Sequence, residues 1–198
     1  MNSIGYERSP DEIQDYRSLL CRLFPDGTKR VNFLQVGAYL GSDTAALIEF
    51  ARERDIQLAL NVVDPWENGY DSKDACSYEV DMETVYQEFM RRFGSLSFVK
   101  VYRQTFLEYF LNARKRNPLL FCPDVIYLDG DHRPNSVALD FLCAQHLVHP
   151  CGAIAGHDYV PTKGDPMIWD GLKELIDKLH LCFPRRRLAV FGSEWVML

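Results

Sequence analysis

Residues 31–42 read VNFLQVGAYLGS. Residues 31–36 are mostly β-branched, aromatic or otherwise apolar, which is the composition of a buried β-strand. The glycines at positions 37 and 41 allow the chain to turn sharply where that strand ends. The next segment, residues 43–54, carries its apolar side chains at helical spacing. This order of strand, glycine turn and helix predicts the first unit of an α/β domain.

The alternation of strand and helix continues to the C-terminus. Apolar runs predict strands at residues 31–36, 58–63, 97–102, 123–128, 153–156, 187–191 and 194–198. Helices are predicted at residues 10–24, 43–54 and 81–93. Two more helices are predicted to begin at Thr105, where Glu108 has the spacing of a capping box, and at Asp165, which Pro166 follows.

The last two predicted strands are separated only by a short turn around Gly192. A parallel pair needs a crossover helix, and because this connection is too short for one, the pair is predicted to be antiparallel. We therefore predict an α/β, Rossmann-like fold with a seven-stranded, mostly parallel sheet, a C-terminal antiparallel hairpin and helices on both faces. Residues 1–198 are expected to form a single domain, with helix 10–24 preceding a core at 31–198.

The composition limits the classes of partner. The net charge is -6, the isoelectric point is near 5.4, and the basic residues are scattered apart from Arg185, Arg186 and Arg187. No nucleic-acid partner is therefore expected. Since no apolar run has the form of a signal peptide or a membrane span, we expect a cytoplasmic protein without a membrane partner. The sequence is compatible with a homo-oligomer. The six cysteines are irregularly spaced, which indicates free thiols rather than disulfides or structural zinc.

The turn at residues 37–41 differs from dinucleotide-binding loops, which usually carry a third glycine. Ala38 and Tyr39 stand where such a loop must be compact around a pyrophosphate, so a ligand without phosphates fits better. A tight strand-to-helix turn explains the two glycines equally well. The next predicted strand ends at Asp64, in the position of acids that bind ribose hydroxyls, and a solvent-facing aspartate at a loop start is the alternative.

Two further predicted strands end in clusters of ionisable residues. Asp129, Asp131 and His132 follow one strand, and His157 and Asp158 follow the next. If the strands are neighbours, the two clusters meet at the edge of the sheet where ligands bind in α/β proteins. The aspartates and His157 are candidate ligands for a divalent ion, with the carboxylates favouring magnesium or manganese. In a metal-free alternative, His132 or His157 acts as a general base on a substrate hydroxyl.

Four segments taken together resemble the class I S-adenosylmethionine-dependent methyltransferases: residues 36–44, 63–66, 128–132 and 152–159. Within that class, the chain is most similar to the branch of macrocin-type sugar O-methyltransferases and cephalosporin-hydroxylase-type proteins, and it is distantly similar to catechol O-methyltransferase. The resemblance implies S-adenosylmethionine as the cofactor, held over Gly37 and Gly41 with its ribose on Asp64.

The resemblance also implies roles for individual residues. The positions of Asp129, His157 and Asp158 bind magnesium in metal-using relatives, although His157 stands where those relatives carry an acid. Gln35 stands where an acid near the ammonium group of the cofactor is usual. The expected cofactor-binding residues are Gln35, Gly37, Ala38, Tyr39, Gly41, Asp64, Trp66, Gln104 and Asp129. The expected catalytic residues are Asp131, His132 and His157, and the expected ligands for magnesium or manganese are Asp129, His157 and Asp158.

The function that follows is the O-methylation of a small hydroxylated metabolite, with or without a divalent metal. Three other functions stay open: a nucleotide-dependent oxidoreductase, a catalytically silent methyltransferase-like binding module, and an iron-dependent hydroxylase that would use the His157–Asp158 pair. The stretch 67–78 lacks a strand or helical period and is expected to form a flap. The expected pocket walls are Glu67, Tyr70, Tyr159 and Trp169.

Overall fold

The computed structural model describes residues 8–67, 81–116, 122–159 and 170–198 of the chain. The helices in these ranges are α1 (Pro10–Leu23), α2 (Ser42–Glu53), α3 (Met82–Phe93), α4 (Phe106–Arg116), α5 (Pro134–Leu147) and α6 (Asp170–Cys182). The strands are β1 (Arg30–Val36), β2 (Gln57–Asp64), β3 (Val99–Arg103), β4 (Val125–Leu128), β5 (Ala153–Gly156), β6 (Leu188–Phe191) and β7 (Glu194–Met197). Within the same ranges, no helix is long and apolar enough to cross a membrane.

All these strands form one seven-stranded sheet in the order β3-β2-β1-β4-β5-β7-β6. β1 lies near its centre and pairs in parallel with both β2 and β4, so the strand order reverses at β1. In such sheets, ligands bind beyond the carboxyl ends of the strands at the point of reversal. The segments that follow β1 to β5 meet at this edge, which we call the carboxyl rim.

The C-terminal hairpin brings the chain back to the carboxyl rim. β7 runs antiparallel to both β5 and β6, which confirms the predicted hairpin. Trp195 pairs with Gly156 at the end of β5, so the start of β7 lies next to the residues that follow β5. The turn between β6 and β7 is thereby placed beside the acidic segments predicted from the sequence.

Alternate residues of the strands pack into two cores, one on each face of the sheet. On one face, Phe33 of β1 lies in a cluster with Leu19 of α1, Leu47 of α2 and Phe89 of α3. On the other face, Leu34 lies in a cluster with residues of α4, α5 and α6, including Tyr109, Phe141 and Ile176. The period of two along β1 is what sends neighbouring side chains to opposite faces. Helices therefore cover both faces of the sheet, as predicted.

Most predicted elements are present, with boundaries shifted by a few residues. The predicted capping box at the start of α4 is formed, because the Thr105 N–H donates to Glu108 at 2.9 Å and the Glu108 N–H donates to Thr105 Oγ1 at 3.2 Å. The sequence pattern missed α5, whose apolar residues include both the buried Phe141 and the exposed Leu139 and Leu142. A helix is recognised by apolar residues that recur on one face, and apolar residues on other faces hide that spacing.

Two predictions fall on residues outside the described ranges. The helix start at Asp165 lies within the undescribed segment 160–169, and α6 is described from Asp170 onward. The expected flap at residues 67–78 is described only at Glu67, which is exposed.

The turn after β1 packs directly against the segment after β4. Gly37 has a φ of +81°, and a Cβ atom at this position would lie 1.9 Å from the Asp129 carbonyl oxygen. The Asp129 N–H in turn donates to the Val36 carbonyl oxygen at 2.8 Å. Only glycine can adopt this conformation at such a close approach. The glycine turn and the acidic segment therefore form one rigid corner of the carboxyl rim.

Replacing Gly37 with alanine is expected to lower the free energy of unfolding by about 2–5 kcal/mol, which combines the cost of a left-handed backbone with that of overpacking. Urea unfolding followed by circular dichroism measures this change. Gly130→Ala is the matched control, because a Cβ atom there meets nothing closer than the Val36 side chain at 3.6 Å. Equal stabilities of the two variants would contradict the close packing of the turn on Asp129.

Candidate functional site

Asp64 fixes the backbone of the glycine turn. Its Oδ2 atom accepts hydrogen bonds from the Ala38 N–H at 2.8 Å and the Tyr39 N–H at 3.1 Å. Its Oδ1 atom accepts from the Trp66 N–H at 2.7 Å. Burial raises the pKa of Asp64, and these backbone N–H groups act in the opposite direction. The carboxylate thus joins the ends of β1 and β2, a role that the sequence did not predict.

Gln35 lies beneath the same turn and is fully buried. Its side-chain amide donates to the Gly37 carbonyl oxygen at 3.0 Å, and its amide oxygen accepts from the Thr44 hydroxyl at 2.8 Å. Gln35 therefore ties β1 to the start of α2. The structure places this residue under the turn.

Backbone strain is concentrated at the carboxyl rim. Among the described residues, four non-glycine residues have positive φ angles: Tyr39, Asp55, Trp66 and Asp158. Tyr39 follows β1, Trp66 follows β2 and Asp158 follows β5, whereas Asp55 lies in the distant turn between α2 and β2. Non-glycine residues in this conformation cost free energy and cluster at functional sites in proteins. The distribution independently marks the carboxyl rim as the candidate site.

The two acidic segments meet around the imidazole of His132. The His132 Nδ1 atom lies 2.5 Å from Asp158 Oδ2, and its Nε2 atom lies 3.3 Å from Asp129 Oδ1. Asp129, His132 and Asp158 offer one ligand atom each within 4.8 Å of one another. We call these three residues the rim triad. The sequence predicted that His157, not His132, would be the imidazole of this group.

His157 lies beside the rim triad and contacts its two aspartates. Its Nδ1 atom is 2.9 Å from Asp158 Oδ1 and 3.6 Å from Asp129 Oδ1. Its Nε2 atom faces the hairpin turn, where it lies 3.0 Å from the Ser193 hydroxyl. The ring therefore links the rim triad to the hairpin turn.

The imidazoles and carboxylates of the rim stabilise each other's charged forms. Burial lowers the pKa of His132, but Asp158 and Asp129 outweigh it and raise that pKa well above its usual value. Burial also lowers the pKa of His157, but Asp158 and Asp129 together outweigh it and raise the pKa to about 8. Burial raises the pKa of Asp158, whereas His132 and His157 hold it well below its usual range. At neutral pH, His132 is therefore an imidazolium between two carboxylates.

Asp131 is directed away from the rim triad. Its carboxylate accepts from the Arg133 N–H at 3.1 Å and from the Ser136 hydroxyl at 2.7 Å. It also pairs with the Arg133 side chain. These partners lie at the start of α5, so the structure uses Asp131 to hold that helix end rather than to line the rim.

The sequence missed three charged residues behind the rim triad. Arg8, which precedes α1, places its guanidinium against Asp129, Asp43 and Glu194. Burial raises the pKa of Asp43 and that of Glu194, and the guanidinium acts in the opposite direction on both. Arg8 is separated from Glu194 by 186 residues, so no local sequence pattern indicates this contact.

The remaining expected residues lie at different parts of the rim. Trp66 is buried and donates from its indole N–H to the Tyr39 carbonyl oxygen at 3.0 Å. Gln104 follows β3 and is partly exposed. The Tyr159 hydroxyl donates to Asp177 of α6 at 2.8 Å. The other expected pocket walls, Tyr70 and Trp169, fall outside the described residues.

The chain matches a known protein family. The family described as "Methyltransferase domain" matches residues 34–159, which include the glycine turn, Asp64 and the rim triad. No curated protein sequence matches the chain.

Comparison with solved structures shows the same fold in several enzymes. An O-methyltransferase from Bacillus cereus in complex with SAH superposes with a TM-score of 0.59 at 19% identity, over 98% of this chain and 82% of that one. The O-methyltransferase TomG from Streptomyces achromogenes, in complex with SAM, gives 0.54 at 15% identity, over 100% and 82%. MycE of mycinamycin biosynthesis, in complex with Mg and SAH, gives 0.56 at 16% identity, over 96% of this chain and 54% of that one.

The raised pKa values of the imidazoles predict how stability depends on pH. A histidine whose pKa is raised by folding contributes stability below its unfolded pKa, and this contribution is lost as pH rises through the folded pKa. With an unfolded value near 6.5 and a folded value of about 8 for His157, the free energy of unfolding should fall between these pH values. The raised pKa of His132 contributes a decrease of the same sign.

Urea unfolding at a series of pH values tests this expectation. In His132→Gln, the free energy of unfolding should fall less steeply above pH 6.5 than in the wild type. His146→Gln, at an exposed position on α5, should keep the wild-type profile. A wild-type profile that is flat or rises between about pH 6.5 and 8 would mean that the carboxylates do not hold the imidazoles in their charged form.

Proposed function

Because the chain belongs to a family of methyltransferase domains, we propose that it transfers a methyl group from S-adenosylmethionine to a hydroxyl oxygen of a small metabolite. The observation that carries the proposal is the contact between the Gly37 turn and Asp129. It joins a corner suited to a nucleoside with a corner suited to an acceptor hydroxyl. Methyl transfer is an in-line displacement, so both reactants must be held in fixed positions side by side.

The cofactor corner is formed by the adjacent ends of β1, β2 and β3. The backbone of the glycine turn lies at the end of β1, Asp64 at the end of β2 and the partly exposed Gln104 just past β3. Three backbone N–H groups donate to the Asp64 carboxylate. Because a carboxylate has about four lone-pair sites, its two oxygens can still accept a further hydrogen bond. These groups fit a nucleoside: a carboxylate for ribose hydroxyls, and an amide for an adenine edge. S-adenosylmethionine held there supplies an electrophilic methyl group.

The acceptor corner is formed by the ends of β4 and β5. Asp129 Oδ1 and Asp158 lie together at the rim triad, where they can accept a hydrogen bond from a substrate hydroxyl and orient its oxygen. During the reaction, this oxygen gains the methyl carbon and loses its proton. His157 is the better proton acceptor of the two imidazoles, because its pKa of about 8 leaves part of it neutral near physiological pH.

The rim triad also fits a divalent cation. Two carboxylates and one imidazole, with one ligand atom each within 4.8 Å, are a suitable donor set for magnesium or manganese. Asp129, His132 and Asp158 would hold the ion, with His132 in the place that the sequence suggested for His157. A cation there would lower the pKa of the acceptor hydroxyl. The residue that supplies positive charge between the two carboxylates in the structure is the His132 imidazolium.

We predict that S-adenosylhomocysteine binds and that Asp64→Asn weakens its binding. The substitution removes the charge that holds both the turn and the ribose, and hydrogen bonds to charged groups contribute about 1.5–3 kcal/mol, which corresponds to roughly 10- to 150-fold in affinity. Titration calorimetry measures the change. Asp26→Asn is the control, because Asp26 is exposed and forms its ion pair with Arg54 at the surface.

The same calorimetry separates the competing functions. Tight binding of NAD, with no binding of S-adenosylhomocysteine, would select the nucleotide-dependent oxidoreductase. Binding of S-adenosylhomocysteine without methyl transfer to any tested hydroxyl would select the silent binding module. Wild-type affinity in Asp64→Asn would remove Asp64 from the cofactor corner.

For the metal, we predict that the affinity for manganese rises with pH. The His132 proton must leave before its nitrogen can act as a ligand, so binding releases a proton and strengthens by roughly three- to tenfold per pH unit. Asp158→Asn should abolish both manganese binding and metal-stimulated transfer, while binding of S-adenosylhomocysteine is retained. Calorimetry with manganese alone at two pH values measures the first effect.

Asp55→Asn is the matched control for Asp158→Asn. Both aspartates have a left-handed backbone, with φ of 53° and 58°, and asparagine tolerates this conformation. Asp55 is exposed and distant from the rim. If chelation leaves methyl transfer unchanged but His157→Ala abolishes it, the enzyme uses the metal-free imidazole route.

A further inference from the structure

Arg8, two residues before α1, places a cation behind the acceptor corner. The Arg8 side chain is only 7% exposed, although it lies near the start of the described chain. Its guanidinium stands 5.7 Å from the centre of the Tyr16 ring. The capping box of α1 fixes the backbone next to it, because the Ser9 N–H donates to Glu12 at 2.7 Å. Arg8 is therefore held in place from both its backbone and its side chain.

Each nitrogen of the guanidinium has its own partner. The Nε atom lies 2.8 Å from Asp43 Oδ1, and the Nη1 atom lies 2.5 Å from Glu194 Oε1. The Nη2 atom lies 2.9 Å from Asp129 Oδ2 and donates to the Tyr127 hydroxyl at 2.7 Å. A planar fork with five N–H donors can make these contacts at once, whereas a lysine ammonium cannot.

The partners of Arg8 other than Asp129 form a fixed frame. Glu194 is fully buried on β7, and its second oxygen accepts from the Tyr127 hydroxyl at 2.9 Å. Asp43 is buried at the start of α2. The hairpin turn that carries Glu194 is itself held by α1, because the Ser193 N–H donates to Asp15 at 3.3 Å. Arg8 therefore holds Asp129 in a fixed position relative to this frame.

The two oxygens of Asp129 face different groups. Oδ2 faces the guanidinium, whereas Oδ1 faces His132 at 3.3 Å and His157 at 3.6 Å. The side chain thus has one oxygen held behind the site and one presented to the rim. Without the guanidinium, Oδ2 would lose this ion pair, and the carboxylate would be freer to rotate.

We infer that Arg8 is a positioning residue of the methyltransferase site, which holds Asp129 so that Oδ1 faces the acceptor corner. The inference rests on the proposed function, and it makes Arg8 part of the site. The competing view is that Arg8 only compensates the buried carboxylates and so only stabilises the fold. The two views differ in what happens when the buried charges are balanced in another way.

The test uses four variants. Arg8→Gln removes the cation, and Arg8→Lys keeps the charge without the fork. The double variant Arg8→Gln/Glu194→Gln removes one cation and one buried carboxylate together, so it restores the charge balance without restoring the contact to Asp129. Arg17→Gln is the control, because Arg17 lies on α1 and pairs with Glu49 and Glu53 at the surface.

If Arg8 is a positioning residue, restoring the stability of a variant should not restore its turnover. In Arg8→Gln and Arg8→Lys, kcat should fall by roughly 10- to 100-fold, as when a partner that orients a functional group is lost, while the KM for S-adenosylmethionine changes less than about twofold. The double variant should recover the unfolding midpoint of the wild type but not its kcat. Recovery of kcat in the double variant, or wild-type kcat in Arg8→Lys, overturns the inference.

A spectroscopic readout keeps the test independent of activity. The ring resonances of His132 in two-dimensional NMR spectra, at one fixed pH, report the position of Asp129 Oδ1. They should move in all three Arg8 variants and stay in place in Arg17→Gln. Unmoved resonances in the folded variants overturn the inference. If the wild type transfers no methyl group but the resonances move, the proposed function fails while the role of Arg8 stands.

Discussion

The constraint on which the carboxyl rim depends is the compensation of buried negative charge. Asp43, Asp129 and Glu194 surround Arg8, Asp158 lies beside Asp129 in the rim triad, and none of the four has a side chain more than 17% exposed. Carboxylates in such surroundings are costly unless cations or shared protons accompany them. Arg8, His132 and His157 supply that compensation. The cations are not interchangeable, because Arg8 is permanently charged whereas the imidazoles can lose their protons.

This difference separates a fixed part of the site from an adjustable part. The guanidinium of Arg8 faces Asp43, Glu194 and one oxygen of Asp129, and these contacts join the first described residue to α2, β4 and β7. The imidazoles face the other oxygen of Asp129 and both oxygens of Asp158. Protons that can leave lie on the side where a substrate hydroxyl or a cation would arrive. The chemistry and the stability of the rim are therefore coupled to the same few charges.

Much of the fold could be predicted from the sequence, because its signals are local. The strand before Gly37, the capping box at Thr105 and the short connection at Gly192 each specify their structure within a few residues. The meeting of Asp129 with Asp158 was also predictable, since parallel neighbours end at the same edge of a sheet. These features depend on backbone periodicity and turn geometry rather than on the direction of individual side chains.

The remaining features depend on contacts between distant parts of the chain. Arg8 lies 121 residues before Asp129, and no pattern around either residue indicates the pair. His157 also contacts Ser193, which lies 36 residues further along the chain, and no local pattern indicates that contact. Asp64 has acceptor sites for ribose, but its three bonds to backbone N–H groups became evident only from the structure. α5 was missed because it has apolar residues on its exposed side as well as its buried side.

The central claim is that the cofactor corner and the acceptor corner serve one methyl transfer across the contact of Gly37 with Asp129. A crystal structure of the complex with S-adenosylhomocysteine tests this most directly. The account predicts ribose hydroxyls at Asp64 and a sulfur atom that faces the rim triad across the glycine turn. A bound molecule whose ribose lies away from Asp64, or whose sulfur points away from Asp129, His132 and Asp158, would contradict the account.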